Sequence, residues 1–425
     1  MQKEKHLSVG QAQSCILQHV EQGGYEDIRM ESSLGRVLAE DVRAGRDQPP
    51  YDISAMDGFA VRSADCSSEE AVLSIIEDIK AGDLPKHTVQ AGQCARIMTG
   101  APIPPGADAV VRVEDTQLLS GESVRITISV PVGKDVRQRG ENMRSGEIVL
   151  AAGTEITPGV IGVLATVKRA RFMVFRRPRV AILSSGDELE ALEEAMNVNK
   201  IPESNSYTLM AQMQTLGVEA TRLGIAHDEP NALLSFLRQG LTYDVLLVTG
   251  GTSVGVHDQV RPMLEKLGVT LHFWRISMRP GHPVAFGTFG GEKGKLIFCL
   301  PGNPVSSMVC FTVLVLPALR RWMGHQRLFR RTVEARLTHP VKHSPGRTEF
   351  IRVTLAQDEN RDLLATSTGS QSSGNLVSMA RANGLLIVPD DCTGMAAGDW
   401  AEVQFLDGFD FHDASVFLKG GEGIS

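Results

Sequence analysis

Three sets of side chains in this sequence have the types and spacing for chemistry on anionic ligands. The first is the loop Thr249-Gly-Gly-Thr-Ser253, which follows the apolar run Val245-Leu-Leu-Val248. Glycines after a buried strand let backbone N–H groups approach an anion, and open α/β sheets bind ligands beyond the carboxyl ends of their strands. The same loop can also be plain chain reversal. The second set is carboxylates at strand-to-helix turns: Asp187 with Glu188, then Asp228, then Asp258. On neighbouring strands they would line one rim, and clustered oxygen ligands beside phosphate suit Mg²⁺. Asp228, before Glu229-Pro230, and Asp258 also read as ordinary helix N-caps. The third set is Arg275, Arg279 and His282 around a Pro-Gly turn. Arginine forks match oxyanions, although a solvated hairpin would carry the same residues. Earlier in the chain, Asp57 and Thr99 each stand beside a glycine at a turn, where they either cap the turn or take part in chemistry.

The elements that must position these residues change texture along the chain. Ser8-Val-Gly-Gln11 has the capping-box pattern, and apolar residues at helical spacing run on to Val20, before Gly23-Gly24. Residues 25–44 mix a strand with a short helix. Residues 45–143 alternate short β-rich runs with Gly and Pro clusters, an all-β module rich in turns. Residues 144–175 read as a further β-rich piece, with Gly153 and Pro158 marking turns. From Arg179 strands and helices alternate, which implies a mostly parallel sheet with right-handed crossovers. Its expected helices start at Ser204, Asp228, Asp258 and Asn303, the last with Pro304 at the first helical position. Beyond about residue 327 five strands read as a small β domain, and the glycine-rich tail from Leu418 reads as frayed.

Bulk properties narrow the function. A chain of 425 residues has room for several cores, and its net charge of −7 argues against general nucleic-acid binding. Six scattered cysteines without a Cys-x-x-Cys pair fit a reduced, cytoplasmic setting and give no zinc spacing. The N-terminus lacks an apolar signal core, and the apolar stretch 308–319 is too short to span a bilayer, so a soluble protein is expected. His257, His272, His339 and His343 read as ordinary histidines, and Pro340 argues against a helical ligand pair at 339 and 343. Neither the Rossmann Gly-x-Gly-x-x-Gly nor the Gly-Lys-Ser/Thr phosphate loop occurs in the α/β region.

Taken in order, the motifs resemble one family. They are Ser54-Ala-Met-Asp-Gly-Phe-Ala60, Met98-Thr-Gly-Ala-Pro102, Val110-Val-Arg-Val-Glu114, Arg139-Gly-Glu141, Ser185-Gly-Asp-Glu-Leu189, Thr249-Gly-Gly-Thr-Ser-Val-Gly255, Pro280-Gly-His-Pro283, Leu300-Pro-Gly-Asn-Pro-Val-Ser306 and Pro345-Gly-Arg347 with Phe350 and Arg352. The sequence is similar in these to the molybdopterin molybdenumtransferases, the MoeA family, and to the E domain of gephyrin, over residues 7 to 405. The resemblance implies a multidomain α/β plus β fold. It places an α/β molybdopterin-binding domain at 7–23 and 174–326, and a linking domain at 24–44 and 144–173. An inserted β-rich module follows at 45–143, and a C-terminal β-barrel at 327–410. It also implies a homodimer that inserts molybdenum from molybdate into adenylylated molybdopterin, with Mg²⁺, and releases AMP. The family's acids fall on Asp57, Glu188, Asp228 and Asp258, as metal ligands, and its threonine on Thr99. Asp57, Thr99, Glu188 and Asp258 are the expected catalytic residues. Ser185, Thr249, Gly250, Gly251, Ser253, Arg275, Arg279, His282, Pro301, Asn303 and Ser306 are the expected substrate contacts. A molybdopterin adenylyltransferase and cofactor-accepting molybdoenzymes are the expected partners, with no nucleic acid and no membrane. The competing readings are a molybdopterin adenylyltransferase and a non-catalytic cofactor carrier or scaffold.

Several positions depart from the family pattern. Asn142 stands where an acid is usual, and Arg275, Arg279 and His282 stand where lysines are common. Pro202-Glu-Ser-Asn205 replaces an Asp-x-Asn, and Gln371-Ser-Ser-Gly374 replaces Gln-Gly-Ser-Gly. His282 is expected to be partly charged near neutral pH, so that oxyanion affinity falls as pH rises through its pKa. One compact subunit need not bring Asp57 to Asp258, and the expectation is a cleft shared across the dimer.

Overall fold

The computed structural model describes residues 6–67, 70–120, 122–227, 229–251 and 259–406. The chain divides into two units, one of residues 1–27, 35–39 and 173–425, the other of residues 28–34 and 40–172.

The larger unit is built on a six-stranded sheet in the order Ala220–Ala226, Val180–Ser185, Val245–Thr249, Lys295–Leu300, Ala285–Phe289, Thr270–Trp274. The first four strands are parallel, and the fifth pairs antiparallel with both of its neighbours. Both faces are buried, so the central strands are continuous apolar runs rather than alternating ones. Val180, Ile182, Val245, Leu247, Phe286, Phe298 and Leu300 face one core, shared with the N-terminal helix Val9–His19 and the helix Pro304–Trp322. Ala181, Leu183, Leu246, Val248, Ile297 and Cys299 face the other, under the helices Pro230–Gly240 and Val260–Lys266. The expected capping box is present: Gln11 N–H donates to Ser8 Oγ, and Ser8 N–H donates to Gln11 Oε1.

The helix Pro304–Trp322 is long and apolar enough to cross a membrane by composition alone, yet 78% of its apolar window is buried inside this unit, as in a core helix. It widens to π geometry over Phe311–Val315, just ahead of Pro317, whose missing N–H cannot complete an α-helical turn.

The same unit carries a closed β-barrel. Thr348–Gln357 pairs with Leu363–Ser367, which pairs with Thr332–Leu337, then Trp400–Phe405, then Gly384–Val388, which returns to Thr348–Gln357. Closure leaves few free strand edges, and Met278–Arg279 pairs in parallel with Thr348 and Glu349. That pairing brings the Pro-Gly turn at 280–281 against the barrel.

The smaller unit has its own six-stranded sheet, in the order Ala109–Arg112, Gly58–Val61, Gln93–Ile97, Ala71–Ile79, Ser123–Ile126, Thr116–Ser120. Phe59, Val61 and Val111 pack on one face, and Ala60, Ala95, Ile97 and Val110 on the other. Residues 144–175 are not purely β-rich: Pro158–Thr166 is an α-helix, capped by Thr157 with Pro158 in its first turn. Its β-branched, glycine-containing sequence reads as a strand, and the Thr-Pro cap decides otherwise.

Two expected helix caps are corrected. Ser204 makes no side-chain cap; the Glu203 carboxylate accepts from Ser206 N–H instead. The helix expected at Asp228 is capped by Glu229, whose carboxylate accepts from Asn231 and Ala232 N–H. Asp228 and Asp258 lie outside the described residues.

Candidate substrate cleft and strand rim

The carboxyl ends of the parallel strands bring several expected residues to one rim of the larger unit. Ser184 pairs with Thr249 and Thr249 with Leu300 across neighbouring strands, and Thr249 Oγ1 donates to Ser184 Oγ at 3.2 Å. Ser185 is buried at the end of its strand. Gly250 follows Thr249 with φ +84°, and its N–H donates to Leu300 O. Gly251 packs against Val260 so closely that a Cβ would lie 2.3 Å from its Cγ2. Ser253 lies outside the described residues.

Glu188 is exposed at this rim, its carboxylate folded over Gly186 and without a partner among the described residues. Asp187 is paired with His227 at 3.5 Å. Asn205, which sequence reasoning passed over as a site residue, is buried beside the rim. Its Nδ2 donates to Gly302 O at 2.8 Å, while its Oδ1 has no partner among the described residues.

A cavity of about 390 Å³ opens beside this rim, and the loop at 301–303 belongs to both. Arg279, His282, Pro301, Asn303 and Ser306 line it, as expected of substrate contacts, together with Arg347, Glu349, Arg352 and the loop at 371–373. Arg275 does not. Its backbone is held at φ +91°, and its side chain lines a separate cavity with His6, Arg261 and Trp274.

The barrel side of the cleft was legible only as family pattern. Arg352 is 2% exposed, and its guanidinium donates to Gln371 Oε1, Ser372 O and Ser370 O at 3.0–3.1 Å, with no carboxylate partner among the described residues. That fork fixes the loop whose Ser373 carbonyl accepts from Val305 N–H at the start of the long helix. Asn303 occupies the N-cap position without a side-chain cap bond, so this helix start is served by the barrel loop. One N–H at this helix start, that of Val305, is therefore already taken.

Burial holds His282 below the ordinary histidine range. Arg347, His6 and Arg275 add to the effect, against the opposing pull of a 2.6 Å hydrogen bond donated by Nδ1 to Ile276 O. These lower the charged fraction of His282 near neutral pH below that of an ordinary histidine.

The smaller unit holds Asp57 and Thr99 together. Thr99 N–H and Oγ1–H both donate to Asp57 Oδ1, at 2.7 and 2.8 Å, and these bonds hold the carboxyl below its ordinary value. Asp57 Oδ2 has no partner among the described residues. The neighbouring Gly58 is forced by sheet packing, since a Cβ there would meet Val111 O at 1.8 Å.

Of the expected Mg²⁺ ligands, Asp57 in the smaller unit and Glu188 in the larger each keep a carboxylate oxygen open among the described residues, as a hard cation needs of its donors. Among the described residues, no three His, Cys, Asp or Glu side chains converge as a metal site.

Comparison with known proteins decides the family. Residues 7–167 match a model of the MoeA N-terminal region (domains I and II), 181–321 a probable molybdopterin-binding domain, and 334–406 the MoeA C-terminal region (domain IV). The molybdopterin molybdenumtransferase of Bacillus subtilis is 34% identical over 96% of this chain and 95% of its own. That of Nostoc sp. is 35% identical over 88% of this chain and 87% of its own. This chain belongs to the molybdopterin molybdenumtransferase family.

The crystal structure of the molybdopterin biosynthesis MoeA protein from Pyrococcus horikoshii matches with a TM-score of 0.81, at 28% identity over 94% of this chain and all of that one. Gephyrin from Dictyostelium discoideum is 33% identical over 86% of this chain and 57% of its own length. Membership makes the molybdenumtransferase chain an enzyme, a transferase, and its α/β plus β architecture is that of the family.

Proposed function

We propose that this chain transfers molybdenum from molybdate into molybdopterin, taking adenylylated molybdopterin as substrate and releasing AMP. Family membership supports the transfer, and the charge of the cleft carries the reading. Arg279, Arg347 and Arg352 face one carboxylate, Glu349, leaving an excess of two positive charges beside the Ser306, Ser372 and Ser373 residues. A tetrahedral dianion is matched by that excess, and guanidinium forks suit its oxygens. The shared loop at 301–303 sets this anion site next to the strand rim, where the glycine turn and Asn205 would orient the pterin end of the substrate. Asp57, Glu188, Asp228 and Asp258 are the residues that would hold Mg²⁺, which when bound polarises phosphate oxygens. Thr99 keeps Asp57 ionised for that task. Glu188 brings a charge with no competing partner among the described residues.

Purified protein given adenylylated molybdopterin, molybdate and Mg²⁺ is expected to release AMP and to activate an apo-molybdoenzyme. Arg279→Ala should raise the molybdate requirement about ten- to a hundredfold, the worth of charge-assisted hydrogen bonds, and excess molybdate should restore much of the rate. Absence of molybdate-dependent AMP release overturns the proposal. Adenylylation from ATP would instead favour an adenylyltransferase, and tight cofactor binding without turnover a carrier. We also propose a homodimer. Inactive Asp57→Ala and Glu188→Ala chains, when mixed, should recover part of the activity if protomers share their sites.

A further inference from the structure

Behind the cleft, the sequence hides a residue that read as an ordinary histidine. The His343 side chain is 2% exposed, and its Nδ1 donates to Glu349 Oε2 at 2.9 Å. Glu349, 9% exposed, turns its other oxygen to the cleft, where Oε1 lies 3.4 Å from Nε of Arg279. Arg279 is 65% exposed, and its terminal amino groups have no partner among the described residues. A chain of contacts therefore runs from a buried imidazole through a carboxylate to the base of an exposed guanidinium.

The arrangement has a physical consequence. A long arginine side chain loses much rotamer freedom when it is held in one geometry. An ion pair at Nε leaves the two terminal groups free and biases the side chain toward one geometry. Glu349 by itself could swing to meet the terminal groups and occupy the fork that an oxyanion needs. A hydrogen bond to its second oxygen from the buried His343 side chain, on the segment leading into the strand Thr348–Gln357, opposes that rotation. His343 Nε2 is buried with no partner among the described residues, so the ring's one polar contact in this set is with Glu349.

We propose that His343 is a positioning residue for the oxyanion site: it orients Glu349, and through Glu349 it presents the Arg279 fork to molybdate. The inference rests on the cleft being the oxyanion site. It adds that the affinity of the site is set from behind, by a residue that never touches the anion.

The experiment measures molybdate binding directly by titration calorimetry, together with KM for molybdate and kcat, in five proteins: wild type, His343→Phe, His343→Asn, Arg279→Ala and the double variant Arg279→Ala/His343→Phe. Phenylalanine keeps the ring volume and removes the donor, whereas the asparagine amide restores a donor near Nδ1. His343→Phe should weaken molybdate binding about three- to tenfold with kcat nearly unchanged, and His343→Asn should bind like wild type. Because His343 acts through Arg279, the double variant should bind no more weakly than Arg279→Ala alone. Melting curves separate a folding defect, and His343→Leu replaces His343→Phe should the latter not fold.

A purely structural role would lower melting temperature, kcat and affinity together, without rescue by asparagine, and would overturn the inference. So would additive losses in the double variant, or unchanged binding in His343→Phe while Arg279→Ala binds weakly. If Arg279→Ala binds molybdate as wild type does, the cleft itself is not the oxyanion site and both readings fall.

Discussion

Thr99 closes on Asp57 with two hydrogen bonds to the same carboxylate oxygen, 2.7 Å from its N–H and 2.8 Å from its hydroxyl. Both donors favour the charged form, first the backbone bond and then the side-chain bond, so Asp57 stays ionised to lower pH than an ordinary aspartate. Asp57→Asn keeps an oxygen acceptor for both bonds and should melt within a degree or two of wild type while losing most activity. An acid limb in the pH–rate profile above about pH 4 should therefore persist in Thr99→Val, because it arises from another group. An acid limb that moved with Thr99→Val would show that Asp57 titrates in that range.

Gly250 admits no side chain. A Cβ would lie 2.1 Å from the Ser185 carbonyl oxygen, and the residue holds φ +84°. Gly250→Ala combines a strained backbone with a clash against backbone that cannot swing away. We expect a loss of about 2–4 kcal/mol, read as a clear drop in melting temperature. Unchanged melting would mean that the turn relaxes at little cost.

The loop at 369–373 depends on one buried guanidinium. Arg352→Met removes the guanidinium donors to Ser370 O, Ser372 O and Gln371 Oε1 and leaves Gln371 Oε1 with only the backbone N–H of residue 352. This should destabilise by about 2–4 kcal/mol and raise KM for molybdate. Arg352→Lys keeps a charge but not the fork, and should recover stability only in part. A lysine variant indistinguishable from wild type in both measurements would count against the fork.

Stability should fall in two acid steps. Burial, with His19 nearby, lowers His272, and burial lowers His282, so the unfolded chain binds protons more readily at both positions. Their contribution is present above about pH 6.5 and is lost as pH drops through the folded values. Asp244 gives the second step. Burial raises its pKa, but hydrogen bonds from Arg176 and Arg179 outweigh this and hold it at about 2. That contribution is present above about pH 4 and fades toward pH 2. Melting temperature measured from pH 8 to pH 3 should show both slopes, and His272→Gln should flatten the upper one.

Much of the fold was written in local sequence. The parallel strands announced themselves as apolar runs because both faces of that sheet are buried, and the capping box at Ser8 and Gln11 needs only neighbouring residues. Where local signals compete, local reading failed. Pro158 reads as a turn and starts a helix, and Ser204 and Asp228 read as caps where Glu203 and Glu229 supply the carboxylates. A cap is chosen by which side chain reaches the N–H groups, and sequence spacing leaves that choice open by a residue.

The site divides in the same way. Sequence alone determined the residue types: the glycine turn at 249–251, the acids, and the Arg279 and His282 turn, each carried on a contiguous motif. Tertiary structure decided the company they keep. Closing the barrel and pairing Met278–Arg279 with its strand at Thr348 sets Arg279 beside Glu349, and Arg352 under the loop at 370–372. The same closure puts His343, 64 positions along the chain from Arg279, behind that carboxylate. Contacts between residues so far apart in sequence are made by sheet pairing and burial, which no local spacing encodes. The charge of the cleft, the lowered pKa of His282 and the exclusion of Arg275 from the cleft all follow from that packing.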